Sequence, residues 1–145
     1  MIDPGSVGKV GEPFRIAVEL GKIREFARAT GSENPAFLSG ECSPPTFLTS
    51  DRLWHTVNSN IQPSLNLDPQ RSLQAEQEFV FHGPPPGAGT QLSAVVRVDR
   101  VYDKEGRRGT LTFVELVTEY RDESGELVAV GRMTGVETPP QEGTR

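Results

Sequence analysis

The run QLSAVVRVDRVYDKEGRRGTLTFVELVTEYR, residues 91–121, decides the fold. Its two halves, QLSAVVRVDRVY and TLTFVELVTEYR, alternate apolar with polar side chains and are rich in Val, Phe, Thr and Tyr, the pattern of strands with one buried face. The turn DKEGRRG between them carries the glycines that reverse a chain, so the halves are expected to pair antiparallel. Downstream, ELVAVGRMTGVE (126–137) follows the short turn DESG as a further antiparallel neighbour. Upstream, LQAEQEFVFH (73–82) is a fourth strand candidate, separated from residue 91 by GPPPGAG.

The first half of the chain reads differently. FRIAV (14–18) is a short strand with Phe14, Ile16 and Val18 on one face. In LGKIREFARATG (20–31), Ile23, Phe26, Ala27 and Thr30 recur at helical spacing, with Lys22, Arg24, Glu25 and Arg28 opposite and Gly31 placed as a cap. Residues 32–45 break the pattern with Asn34, Pro35, Gly40, Pro44 and Pro45. TFLTSDRLWHTVNSN (46–60) is then expected to form a second helix, buried against the sheet through Phe47, Leu48, Leu53, Trp54 and Val57. QPSLNLDPQRS (62–72) reads as the loop that leads to the meander. The sum is one α+β domain over residues 1–138, with the remaining tail, 139–145, expected to be disordered. The sheet face away from the helices must be solvated or covered by another subunit.

At 145 residues the chain supports a single hydrophobic core. A net charge of -5 argues against nucleic acid as a partner, since phosphate binding needs a concentrated basic surface. Only KEGRR (104–108) clusters positive charge, either as a solvated turn or as a contact for the phosphates of an anionic carrier. No apolar run suits a membrane span, no leader precedes Phe14, and the one cysteine, Cys42, cannot build a disulfide framework, so the expected compartment is the cytoplasm. Cys42 has no adjacent histidine and reads as an ordinary loop thiol. Two histidines without a cysteine cluster give no metal-ligand spacing, and no cofactor is called for.

Taken in order, GKIREFARATGSENPAF, a PPTFL segment, EQEFVFHGPPPGAGTQL and GTLTFVELVTEYRDESGELV resemble the N-terminal type of MaoC-like dehydratase. The resemblance covers nearly the whole chain. It implies a hot-dog fold, an antiparallel sheet wrapped around a long central helix, with two such units pairing into one continuous sheet. It also implies acyl thioesters of coenzyme A or acyl carrier protein as substrates. Active members hydrate 2-enoyl thioesters or dehydrate (R)-3-hydroxyacyl thioesters, and this takes a carboxylate and an imidazole in one cleft, because a proton leaves C2 while the C3 hydroxyl is protonated as it departs. In the family pattern the carboxylate follows the glycine after the first helix, and the histidine stands five residues further on.

Gly31, Asn34 and Pro35 match that pattern, but the carboxylate position is Ser32 and the histidine position is Phe37. Neither can transfer a proton near neutral pH. The chain therefore resembles the non-catalytic subunit of a heteromeric dehydratase, of the kind found among mycobacterial (R)-3-hydroxyacyl carrier-protein dehydratases. A catalytic hot-dog partner would supply the Asp and His, and this chain would shape the acyl channel, with Asn34, Pro35, Phe37, Phe47 and Trp54 as candidate substrate contacts. Two other readings stay open. The chain could act alone through a displaced pair, Glu33 with His55 or His82, or it could be a homodimeric acyl-thioester-binding protein without activity. Each singled-out residue also has a plain structural role available: Asn34 and Pro35 as turn formers, the aromatics as packing, His55 as a packed histidine and His82 as a loop donor.

Overall fold

The computed structural model describes residues 2–140. Five strands form one antiparallel sheet: β1 (Phe14–Ala17), β2 (Ser72–Phe81), β3 (Gln91–Gly106), β4 (Gly109–Arg121) and β5 (Leu127–Glu137), in the order β1-β3-β4-β5-β2. The three strands expected as neighbours are neighbours. A two-residue turn, Arg107 and Arg108, joins β3 to β4, so the strand runs past Tyr102 to Gly106 and KEGRR is largely strand. The meander thus leaves two edges, the four-residue β1 and the ten-residue β2.

Period-two alternation fixes which face is buried. Ala94, Val96 and Val98 of β3 lie beside Tyr120, Thr118 and Leu116 of β4, and these beside Ala129, Gly131 and Met133 of β5. This face packs on Ile23 and Ala27 of α1 (Leu20–Ala29) and on Phe47, Leu48 and Leu65 in one continuous core. A bulge at Asp99 shifts the register and carries Arg100 opposite Glu115. The other face is a ladder of charges: Arg97 pairs with Asp99, Arg132 reaches Asp99 at 3.6 Å and Glu78 at 3.9 Å, and Arg121 meets Glu119 at 2.8 Å. Such a face suits water, not a subunit core, from which charged residues are depleted.

The N-terminal expectations hold for β1, whose Phe14 and Ile16 are buried together with Val18, and for α1. Gly31 closes α1 at φ +70°, and Ser32 N donates to Ala27 O at 2.8 Å. Two segments differ from the reading. Residues 35–39 form a short helix, α2 (Pro35–Ser39), inside the stretch expected to be irregular. The second helix expected over 46–60 is a 3-10 helix limited to Phe47–Trp54. Hydroxyl groups explain the tighter winding, since Thr49 Oγ1 bonds Thr46 O at 2.8 Å and Ser50 Oγ bonds Phe47 O at 2.7 Å, both at i to i−3. Only Phe47 and Leu48 of its apolar residues are buried; Leu53 is 66% exposed and Val57, beyond its end, 93%. The long central helix that the resemblance implies is therefore a short 3-10 element here. Of the tail expected over 139–145, residues 141–145 lie outside the described residues, while Pro139 rests against Gly109. Among the described residues no helix is long and apolar enough to cross a membrane.

Candidate functional site

The turn after α1 is tightly built. Asn34 caps α2, its Oδ1 accepting from Ala36 N at 3.0 Å; Pro35 occupies the first helical turn and Gly40 ends it at φ +81°. Arg24 Nε crosses to Leu38 O at 2.9 Å and ties α1 to α2. The loop GPPPGAG docks on the far side, Ser43 N donating to Pro86 O and Ala88 N to Gly40 O. Gly87 is required there: a Cβ would stand 2.5 Å from Glu41 O and 2.9 Å from Gly40 O.

Ser32 and Glu33 line a shallow basin of about 290 Å³ with Arg24, Arg28, Gly31 and Leu38. Glu33 is exposed, and Ser32 Oγ has only a long 3.4 Å contact from Asn34 N. Phe37 leaves this basin and packs against the core. Phe47 is sealed in the core against Phe26, their rings edge to face at 5.7 Å, and Trp54 packs partly buried against the core. His82 is exposed at the end of β2, its backbone N bonded to Val128 O at 2.9 Å. Cys42 is a half-buried free thiol.

His55 lies elsewhere. It borders a cavity of about 490 Å³ between the 3-10 helix and the buried sheet face. One row of sheet residues, Val96, Thr118, Gly131 and Phe79, runs in register across β3, β4, β5 and β2 to form its floor, followed by Leu116, Met133 and Gln77 in the next row. Gly131 lets this row close up, because a Cβ would meet the Phe79 ring at 3.0 Å and the Tyr120 ring at 3.3 Å. The roof is Leu48, Thr49, Asp51, Arg52 and His55. The structure thus brings His55 not to Glu33 but to Asp51, whose Oδ1 stands 3.9 Å from His55 Nε2. Tyr120 donates its hydroxyl to Asp51 Oδ2 at 2.7 Å. Burial raises the Asp51 pKa above the ordinary carboxylate value, against the opposing pull of the Tyr120 hydrogen bond and the His55 charge. Burial and the neighbouring carboxylate hold the Tyr120 phenol protonated far above its usual range. Asp51 and Tyr120 were not among the residues expected from sequence. The spacing Asp51 to His55 was a usable signal, since positions i and i+4 of a helix share a face; the Tyr120 contact spans 69 positions and left none.

The family model for a FAS1-like, dehydratase domain region matches residues 6–130. The chain belongs to this dehydratase family. A UPF0336 protein of Streptomyces griseus subsp. griseus is 31% identical over 139 residues, 88% of this chain and 89% of the relative. One chain of the C-terminally truncated HadBC complex, a 3R-hydroxyacyl-ACP dehydratase from Mycobacterium tuberculosis, superposes with a TM-score of 0.74 at 27% identity, over 90% of this chain and 96% of that one. A MaoC-like dehydratase superposes at 0.75 and 20% identity, over 91% of this chain and 42% of that one, which speaks to fold alone. The α+β sheet is accordingly a hot-dog fold of MaoC-like type, as the motifs implied.

Proposed function

We propose that this chain is the non-catalytic, acyl-channel-forming subunit of a heteromeric (R)-specific 3-hydroxyacyl-thioester dehydratase or 2-enoyl-thioester hydratase. One observation carries the reading: the turn after α1 is intact in its capping and glycine geometry, yet its two reactive positions are Ser32 and Phe37. A hydroxyl and a phenyl ring there cannot exchange a proton with C2 or the C3 hydroxyl. Glu33, the nearest carboxylate, opens onto the basin of Arg24 and Arg28 and lies outside the cavity that His55 borders.

Two further features support a partner. The edge strand β2 is ten residues long and exposes Leu73 and Val80, a combination that invites a second sheet. The HadBC assembly, to one chain of which this one is similar along nearly its whole length, is itself a complex. A catalytic MaoC-like subunit docked on β2 would bring its own Asp and His beside the cavity whose wall β2 forms through Gln74, Gln77 and Phe79. The substrate would be an acyl thioester of coenzyme A or of acyl carrier protein, its chain lying in that cavity and its phosphates free to meet Arg24 and Arg28.

The deciding experiment follows loss of the conjugated enoyl absorbance of 2-enoyl thioesters. The purified chain alone is expected to give no turnover, and a hot-dog subunit carrying Asp and His is expected to gain activity when this chain is added. Robust turnover by the chain alone, abolished by Glu33→Gln, His55→Ala or His82→Ala, would overturn the proposal.

A further inference from the structure

The cavity beneath the 3-10 helix holds a polar group that a channel for a plain alkyl chain has no use for. Asp51 shares the lining with Leu48, Val96, Leu116 and Met133 and with the neutral amides Asn60, Gln62, Gln74 and Gln77; it is the one carboxylate among them, and holding it with a side chain only 14% exposed costs stability. A buried titratable group that borders a cavity is a candidate for acting on a ligand. The geometry here is specific. Tyr120 occupies Oδ2 of Asp51, which leaves Oδ1 facing His55 Nε2 across 3.9 Å. That separation exceeds a direct hydrogen bond, and an oxygen at about 2.8 Å from each atom fits against both. His55 is held for the purpose, its ring against Phe14 with centroids 4.1 Å apart.

An oxygen seated there faces two demands. The ionised carboxylate can only accept, so the oxygen must donate to it; with the proton on Nε2, His55 can only donate there, so the oxygen also accepts. A hydroxyl does both. An ether or ketone oxygen meets the imidazole but sets a lone pair against the carboxylate. We infer that Asp51 and His55 form a binding site for a hydroxyl group carried on the alkyl body of the ligand, so that the cavity selects hydroxylated acyl chains over plain ones. The alkyl body lies across the two floor rows, along Val96 and Phe79 and along Leu116 and Met133. Tyr120 is a positioning residue that fixes the carboxylate. That the body is an acyl chain rests on the channel function proposed above; the hydroxyl site itself does not.

The test uses the full chain and two isomeric probes, 1-octanol and heptyl methyl ether, which share size and composition and differ in the O–H donor. Binding is followed by calorimetry or ligand-observed NMR. The wild-type chain is expected to prefer the alcohol by about tenfold, the worth of one hydrogen bond to a charged group. Asp51→Leu/Tyr120→Phe removes both partners together and avoids leaving either buried without a mate. His55→Phe keeps a ring against Phe14 and serves if the double variant fails to fold. In either variant the preference is expected to fall below about threefold, whereas Glu123→Gln, in the exposed turn before β5 and outside the cavity, keeps it. Equal binding of alcohol and ether by the wild type, or a preference that survives His55→Phe, overturns the site. A second arm compares octanoyl and 8-hydroxyoctanoyl thioesters of N-acetylcysteamine. A matching preference there assigns the hydroxyl to an acyl thioester, and its absence with the alcohol preference intact overturns that assignment. Neither arm requires the catalytic partner, so failure of the hydroxyl site and failure of the subunit role are read separately.

Discussion

Tyr120→Phe tests whether the Asp51 group is a built feature of the core. Tyr120 is 2% exposed, and its hydroxyl donates to Asp51 at 2.7 Å. Phenylalanine keeps the ring packed beside Gly131 and removes only that donor, so the loss is close to one hydrogen bond to a carboxylate, about 2 kcal/mol. Unfolding entropy near 2.1 cal/mol/K per residue gives about 0.3 kcal/mol/K for 145 residues. The expected fall in Tm is therefore about 7 °C. Urea unfolding followed by the fluorescence of Trp54, the one tryptophan, measures the same quantity at fixed protein concentration. Asp51→Asn supplies the control. Its carboxamide oxygen still accepts from Tyr120, so Tyr120→Phe in that background should cost about 1 kcal/mol, the value for a neutral pair. A cost below about 0.5 kcal/mol in the wild-type background would refute the reasoning, as would equal costs in both.

The remaining predictions use the same assays. Because burial raises the Asp51 pKa, the folded chain holds that proton more tightly than the unfolded one; its contribution to stability is full below the ordinary carboxylate range and is lost as pH rises through the folded value. Asp51→Asn should thus gain on the wild type as pH rises over that window, and an unchanging difference between pH 3 and 8 would contradict the burial argument. Gly87→Ala should cost about 2 kcal/mol, since its Cβ would meet backbone oxygens of Glu41 and Gly40, and a thermal melt equal to wild type would show that the GPPPGAG loop yields freely. Asn34→Ala removes the cap of α2 and should cost about 1 kcal/mol by urea titration. Phe47→Ala opens a cavity beside Phe26 and should cost about 3 to 5 kcal/mol, a loss that calorimetry would register as the largest of the set.

The sheet was legible because its information is local and repeated. Residues 91–121 carry both strands and the turn between them, and one face of each strand is largely apolar, so a slip of register would expose Val96, Val98 and Leu116 together. The segment over 46–60 was less legible for a related reason. Its apolar count suggested a buried helix, but the Thr49 and Ser50 hydroxyls bond the carbonyls of Thr46 and Phe47 three residues back and wind it tighter, which turns Leu53 out to solvent. The site divides in the same way. The turn around Gly31, Asn34 and Pro35 is sequence-local and could be read residue by residue; the cavity assembles four strands and the 3-10 helix, and no stretch of sequence contains it.

His55 shows where this boundary runs. As a residue it was singled out on sequence, with Glu33 offered as its acid because Glu33 neighbours the family's carboxylate position. In the helix expected over 46–60, Asp51, four residues before His55, would share its face, although the segment is a 3-10 helix that ends at Trp54. What spacing could not supply was the reason for Asp51 to stay buried. That reason is Tyr120, delivered by β4 from 69 positions away, and its hydroxyl holds one carboxylate oxygen while the other is left to His55 and the cavity. A lone i, i+4 pair on an exposed helix is worth a few tenths of a kcal/mol and carries no functional claim. The same pair placed against the sheet, with a tyrosine fixing one oxygen and the cavity beside the other, becomes a directed polar site. The functional content of Asp51 therefore lies in the strand order β1-β3-β4-β5-β2, which sets Tyr120 opposite the 3-10 helix, more than in any property of residues 51–55 themselves.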